Sequence, residues 1–221
     1  MMTLIKICGL STPETLDVAL EAGADMVGFV FFPASPRNIS FQTARELSSR
    51  VKGRAHKVAN TVDADDALLA TIIGALKPDM LQLHGKETPA RVRAIRQRFG
   101  LPTMKALAIE TKSDLAAISD YAGVADRLLF DARPPQEATR PGGLGKPFDW
   151  HLLENLDLSI PFILSGGLHA DNVAEALRIT RAPGVDVSSG VESAPGVKDP
   201  DKIRAFIRAA RASHDAGTAV G

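Results

Sequence analysis

Three side chains of this sequence, Cys8, Arg37 and Asp131, have types and positions that could move protons or hold an anion. Cys8 is the only cysteine of the chain; it closes the apolar run Leu4–Cys8 and is followed at once by Gly9. A free cysteine is commonly a small buried hydrophobe, but at the exposed end of a strand its thiolate can act as a base or a nucleophile. Asp131 ends the run Leu128-Leu129-Phe130-Asp131. It could cap a helix or pair with Arg133; partly desolvated, it could instead hold its proton and serve as a donor. Arg37 follows Ser35-Pro36 in a loop stiffened by Pro33 and Pro36, and reads either as a surface arginine or as a bidentate clamp on a carboxylate. His84, in Gln82-Leu83-His84-Gly85, has the local reading of satisfying backbone groups, and His56, His151, His169 and His214 read as structural or exposed. No His, Cys, Asp and Glu set has a metal-ligand spacing, so no metal is expected.

Two turns of small residues complete the chemistry. Ser165-Gly166-Gly167 and Ser188-Ser189-Gly190 each follow an apolar run near the end of the chain. Glycine lets the backbone approach an anion closely, and the N–H groups and hydroxyls of such turns can cradle a phosphate. A thiol at one end and a phosphate cradle at the other suggest an enzyme acting on a phosphorylated small molecule.

These groups need a scaffold that brings distant residues to one place. Short apolar runs recur at Leu4–Cys8, Met26–Phe31, His56–Val62, Met80–His84, Thr103–Ile109, Arg127–Asp131, Pro161–Ser165 and Val185–Ser188. Several are rich in Val, Ile, Leu or Phe without strict alternation, as in parallel strands covered on both faces. Between them lie helix-period stretches: Thr15–Ala22, Phe41–Val51, Ala67–Leu76, Ala90–Phe99, Leu115–Tyr121, Trp150–Leu156, Asn172–Ile179 and Lys202–Ala212. Hydroxyl or carboxyl caps precede most of them, and Gly23, Gly100 and Gly184 are read as their stops. Eight strands alternating with eight helices predict an α/β fold, a (β/α)8 TIM barrel formed as a single domain over residues 1–212. An open doubly wound sheet would give a similar alternation with fewer units. The barrel has its active site at the C-terminal ends of its strands and often binds phosphate after strands seven and eight, where the two glycine turns fall. The long stretch Ala132–Pro147 is read as a functional or mobile loop, and 213–221 as a disordered C-terminal tail.

Composition narrows the partners. Lys plus Arg and Asp plus Glu both number 26, so the chain has no net pull toward nucleic acid or an anionic membrane. The apolar share of 45% is enough for a sizeable core. No apolar run approaches the roughly 20 residues that span a bilayer. A single cysteine and the lack of a signal-like start suit the cytoplasm.

The ordered set Lys6-Ile7-Cys8-Gly9, Gly28-Phe29-Val30-Phe31 with Ser35-Pro36-Arg37, Gln82-Leu83-His84-Gly85, Phe130-Asp131, Gly142-Gly143 through Phe148-Asp149-Trp150, Ser165-Gly166-Gly167-Leu168 and Asp186-Val187-Ser188-Ser189-Gly190-Val191-Glu192 resembles the phosphoribosylanthranilate isomerase family of tryptophan biosynthesis. Each motif is weak alone, but their order along nearly the whole chain is specific. The resemblance implies an Amadori rearrangement of N-(5-phosphoribosyl)anthranilate to 1-(2-carboxyphenylamino)-1-deoxy-D-ribulose 5-phosphate, an aldose–ketose isomerisation that needs no cofactor. It implies Cys8 as general base, Asp131 as general acid, and Arg37 near the anthranilate carboxylate. It also implies His84 as a substrate contact and Gly166, Gly167, Ser189 and Gly190 in the phosphate loops. The expected partner is the small phosphorylated substrate, on a chain that is a monomer or a homodimer. The related isomerase of the histidine pathway carries an aspartate where this chain has Cys8, which argues against that reading. Asn60 is a departure: a polar residue in an otherwise apolar third strand, which puts that strand's packing in question. The stretch Pro134–Arg140 has no role assigned.

Overall fold

The computed structural model describes residues 3–133, 138, 142–143, 147–154 and 156–218. Eight parallel strands close into a barrel in sequence order: β1 Leu4–Cys8, β2 Met26–Phe31, β3 His56–Thr61, β4 Met80–Leu83, β5 Thr103–Ile109, β6 Arg127–Ala132, β7 Phe162–Leu164 and β8 Gly184–Val187. Pairing of β1 with β8, Lys6 opposite Asp186, completes the ring.

Outside the ring run α1 Pro13–Glu21, α2 Phe41–Val51, α3 Asp66–Leu76, α4 Pro89–Phe99, α5 Ile118–Ala122, α6 Val173–Thr180 and α7 Pro200–Thr218. Side chains start most of them: Thr12, Ser40, Asp65 and Thr88 each accept the backbone N–H three residues on, satisfying a donor that the first turn leaves open. Two expected helices differ. The fifth is largely a 3₁₀ segment, Lys112–Ala117, before the short α5, and the expected Trp150–Leu156 helix is a 3₁₀ turn over Trp150–Leu153. Both are short, and i→i+3 bonding costs little in such pieces. Gly100 caps α4 in the left-handed region, but Gly184 is not a helix stop: it begins β8, and Arg181 takes the left-handed position after α6. The last helix runs past the expected end at Ala212 to Thr218, so the expected disordered tail begins inside it; 219–221 lie outside the described residues. The stretch Pro134–Arg140 also lies there, apart from 138. An unforeseen antiparallel hairpin, β9 Glu192–Ala194 with β10 Val197–Lys198, follows β8.

The core has two parts. The larger fills the layer between barrel and helices, with Ile5, Ile7, Val27, Phe29, Leu81, Leu128 and Phe130 facing outward into it. The smaller, Met26, Val58, Met104, Ala106, Leu129 and Ile163 with Met80 against it, plugs the barrel interior. Successive side chains of a strand alternate between faces, so the residues two positions beyond this floor also point inward. They are Gly28, Asn60, Gln82, Ala108, Asp131 and Ser165. The interior is thus apolar at its base and polar toward the C-terminal ends of the strands. No described helix is long and apolar enough to cross a membrane.

Candidate active site

Above that floor lies an open cavity lined by Cys8, Arg37, Asn60, Gln82, His84, Asp131, Gly166, Gly167, Ser188 and Ser189 among others. A concave site with a few convergent polar groups suits a small-molecule ligand. The strands bring together every sequence-derived candidate except Gly190, which lies beside the cavity rather than in its wall. There a Cβ would overlap the Leu168 carbonyl oxygen, so Gly190 lets the turns after β7 and β8 touch. His56, His151 and His169 are exposed and outside the cavity; the His214 side chain lies outside the described residues.

Cys8 is buried at the cavity wall. It stands opposite Gly28 in the β1–β2 register, and a Cβ on Gly28 would come within 2.9 Å of Sγ. The missing side chain is the room the sulfur occupies. Asn60 Nδ2 approaches Sγ at 3.8 Å. Asn60 is therefore no packing anomaly of β3 but part of the thiol's surroundings, as its inward position above Val58 dictates. Ser188 Oγ donates to the Cys8 carbonyl at 3.1 Å, tying the ends of β1 and β8.

Asp131 is buried on β6, and its partner is His84, with Nε2 3.2 Å from Oδ2. Arg133, the partner considered from sequence, turns instead to Glu110 and Asp114 on the surface. Asp131 Oδ1 accepts the Ala132 N–H at 2.9 Å. Gln82 Nε2 lies 3.0 Å from His84 Nδ1, so Gln82 holds the imidazole in its orientation toward Asp131. Gly142, from the loop after β6, lies against both Asp131 Oδ2 and His84 Nε2.

Arg37 is buried, and Glu192 takes the edge of its guanidinium formed by Nε (2.6 Å) and Nη2 (2.8 Å); Nη2 also donates to the Gly143 carbonyl at 3.2 Å. A bidentate clamp on a ligand carboxylate by that edge is therefore occupied from within, because the β9–β10 hairpin delivers Glu192 to it. Lys198, on the same hairpin, bonds Glu192 Oε1 at 2.9 Å and the Ser188 carbonyl at 2.8 Å. Burial pushes the Glu192 carboxyl up, but Arg37 and Lys198 outweigh it and hold it below the ordinary glutamate value. Sequence reading missed Asn60, Gln82, Glu192 and Lys198 as site groups. For Asn60 and Gln82 the signal was available: a polar residue near the C-terminal end of an apolar run.

Gly166 adopts φ +88°, which disfavours any side chain, and a Cβ there would meet the Ala132 nitrogen at 2.6 Å. The N–H groups of Gly166 and Gly167 find no acceptor among the described residues. Asn172 Nδ2 holds the Gly167 carbonyl at 3.0 Å, fixing the turn. Among the described residues no group of three His, Cys, Asp or Glu side chains could hold a metal. The arrangement offers a thiol and a carboxyl in one cup, with open backbone donors at its rim.

The family model described as N-(5'phosphoribosyl)anthranilate (PRA) isomerase matches residues 5–209. The chain is 71% identical to the N-(5'-phosphoribosyl)anthranilate isomerase of Bradyrhizobium diazoefficiens, over 98% of this chain and 97% of that one. Its fold superposes with a TM-score of 0.86 on the crystal structure of phosphoribosyl anthranilate isomerase from Thermotoga maritima, at 36% identity, covering 96% of this chain and all of that one. A further isomerase structure, in complex with reduced 1-(o-carboxyphenylamino)-1-deoxyribulose 5-phosphate, gives a TM-score of 0.82 at 32% identity, covering 96% of this chain and 100% of that one. With the family matched across nearly the whole barrel, the chain belongs to the N-(5'-phosphoribosyl)anthranilate isomerases.

Proposed function

We propose that this chain converts N-(5-phosphoribosyl)anthranilate to 1-(2-carboxyphenylamino)-1-deoxy-D-ribulose 5-phosphate in tryptophan biosynthesis, with Asp131 as general acid and Cys8 as general base. The observation that carries the reading is the shared cavity: a thiol from β1 and a carboxyl from β6 line one wall-to-wall cup. Asp131 protonates the furanose ring oxygen, and the ring opens to a Schiff base. Cys8, as thiolate, then removes the proton from C2. The resulting enolamine tautomerises to the ketone. The reaction needs one group that gives a proton and one that takes a proton, and a carboxyl and a thiol can fill those two roles.

The remaining wall suits the remaining parts of that substrate. Open N–H groups of Gly166 and Gly167, with Ser189 and the Gly190 turn, support phosphate binding. Asn60 Oδ1 and Gln82 Oε1 are buried acceptors with no partner among the described residues, and unpaired buried acceptors favour a ligand that donates, as sugar hydroxyls do. Arg37, held by Glu192, lends positive charge near the anthranilate carboxylate. The test is turnover: purified protein added to N-(5-phosphoribosyl)anthranilate, without metal or cofactor, should abolish the substrate's fluorescence at a rate proportional to protein. Tight binding with no loss of fluorescence would make the chain a phosphate-binding barrel instead.

A further inference from the structure

The most deeply buried charge near the site, Lys6, belongs to a pair that the mechanism above does not use. Lys6 is fully buried on β1, and its Nζ bonds Asp186 Oδ1 on β8 at 2.9 Å. Removing two charges from water costs several kcal/mol per ion, and a buried pair seldom stabilises a fold more than apolar side chains of similar size. Its place suggests what it is for. Lys6 and Cys8 are two apart on one strand, so both face the interior. A Cβ on Gly28 would touch both, Sγ at 2.9 Å and Lys6 Cε at 3.2 Å. The thiol and the lysine stem thus flank one point. Lys6 does not line the cavity, whereas Asp186 does.

We infer that Lys6 is a positioning residue for this reaction, its buried ammonium, pinned by Asp186 beneath Cys8, favouring the thiolate that takes the C2 proton. The inference rests on the reading of Cys8 as base. An ammonium there stabilises a neighbouring anion strongly, because the interior screens little. Burial alone would pull the Lys6 ammonium down, but the charges of Asp186 and Cys8 outweigh it, and its net direction is upward from the ordinary lysine value. Lys6 therefore stays charged while Cys8 titrates. The other charged or titratable groups nearby are Lys198 of β10, which shares Glu192 with Arg37, and Arg37, His84 and Asp131 of the cavity wall. Lys6 is the one that shares a strand and an inward face with Cys8.

Because Cys8 is the only cysteine, its ionisation can be followed directly by thiolate ultraviolet absorbance against pH, with Cys8→Ala as blank. Lys6→Met should raise the midpoint by about one pH unit or more, as loss of an adjacent opposite charge does. Asp186→Asn, which leaves the ammonium to the sulfur alone, should lower it. A merely structural role would loosen the wall and move both variants the same way, toward the ordinary thiol value of about 8.5. Movement in the same direction, or no movement in either folded variant, overturns the inference. Should Lys6→Met not fold, Lys6→Gln keeps a donor for Asp186 without the charge and carries the same expectation. Turnover by Cys8→Ala, measured separately, is what would overturn Cys8 as base, so the two failures are distinguishable.

Discussion

At the residue scale the site is a set of side chains each held by a second one. Asp131 is held by His84 and His84 by Gln82; Arg37 is held by Glu192 and Glu192 by Lys198. Arg37→Lys removes the fork that meets Glu192 and so the fixed place of the positive charge at the cavity wall; a charged contact with substrate lost with it is worth about 1.5–3 kcal/mol, or tenfold and more in affinity. Steady-state kinetics should show KM raised at least about tenfold with kcat less changed; an unchanged KM would remove Arg37 from substrate binding. Cys8, Arg37, His84 and Asp131 were legible in the sequence because each ends or follows an apolar run. Of their holders only Gln82 carried such a signal. Glu192 lies far from Arg37 along the chain, and only the hairpin brings the two together; Lys6 sits in the first motif, but its meaning depends on Asp186 arriving from β8.

At the element scale the strands were legible almost residue by residue, since buried parallel strands are written as compact apolar runs. β1, β2 and β5 have the expected bounds. Where the reading slipped, the elements are short: the 3₁₀ pieces at Lys112–Ala117 and Trp150–Leu153 carry helix-period residues too few to choose between i→i+3 and i→i+4 bonding. The β9–β10 hairpin has two and three residues per strand and no alternation to read. The turn after β7 is the element on which the proposed phosphate binding depends. Gly166→Ala forces a side chain into φ +88° and against Ala132 and Asp131. Overpacking of this kind costs about 1–3 kcal/mol. Thermal unfolding should shift down by several degrees and inorganic phosphate should bind more weakly by calorimetry; an unaltered Tm and affinity would mean the turn tolerates a Cβ and is not built for an anion.

At the scale of the whole molecule, the barrel places an apolar floor beneath a ring of polar side chains, and the ring is expensive. Part of that cost should show in acid. Glu192 in the folded chain sits below its ordinary value, so the unfolded chain binds its proton first and stability falls as pH drops. The stabilisation is complete above the ordinary glutamate value of about 4.3 and is lost as pH falls below it. Urea unfolding across that range should therefore show a steep acid loss that is shallower in Glu192→Gln; equal slopes would place the acid sensitivity elsewhere. The proposed mechanism makes two proton transfers in one cup, one from Asp131 on β6 and one to Cys8 on β1. The most direct measurement is kcat for folded Cys8→Ala and Asp131→Asn beside the parent chain on N-(5-phosphoribosyl)anthranilate. Each should fall by at least about a hundredfold, the lower bound for losing a general acid or base; a variant that turns over at the parent rate would contradict the account.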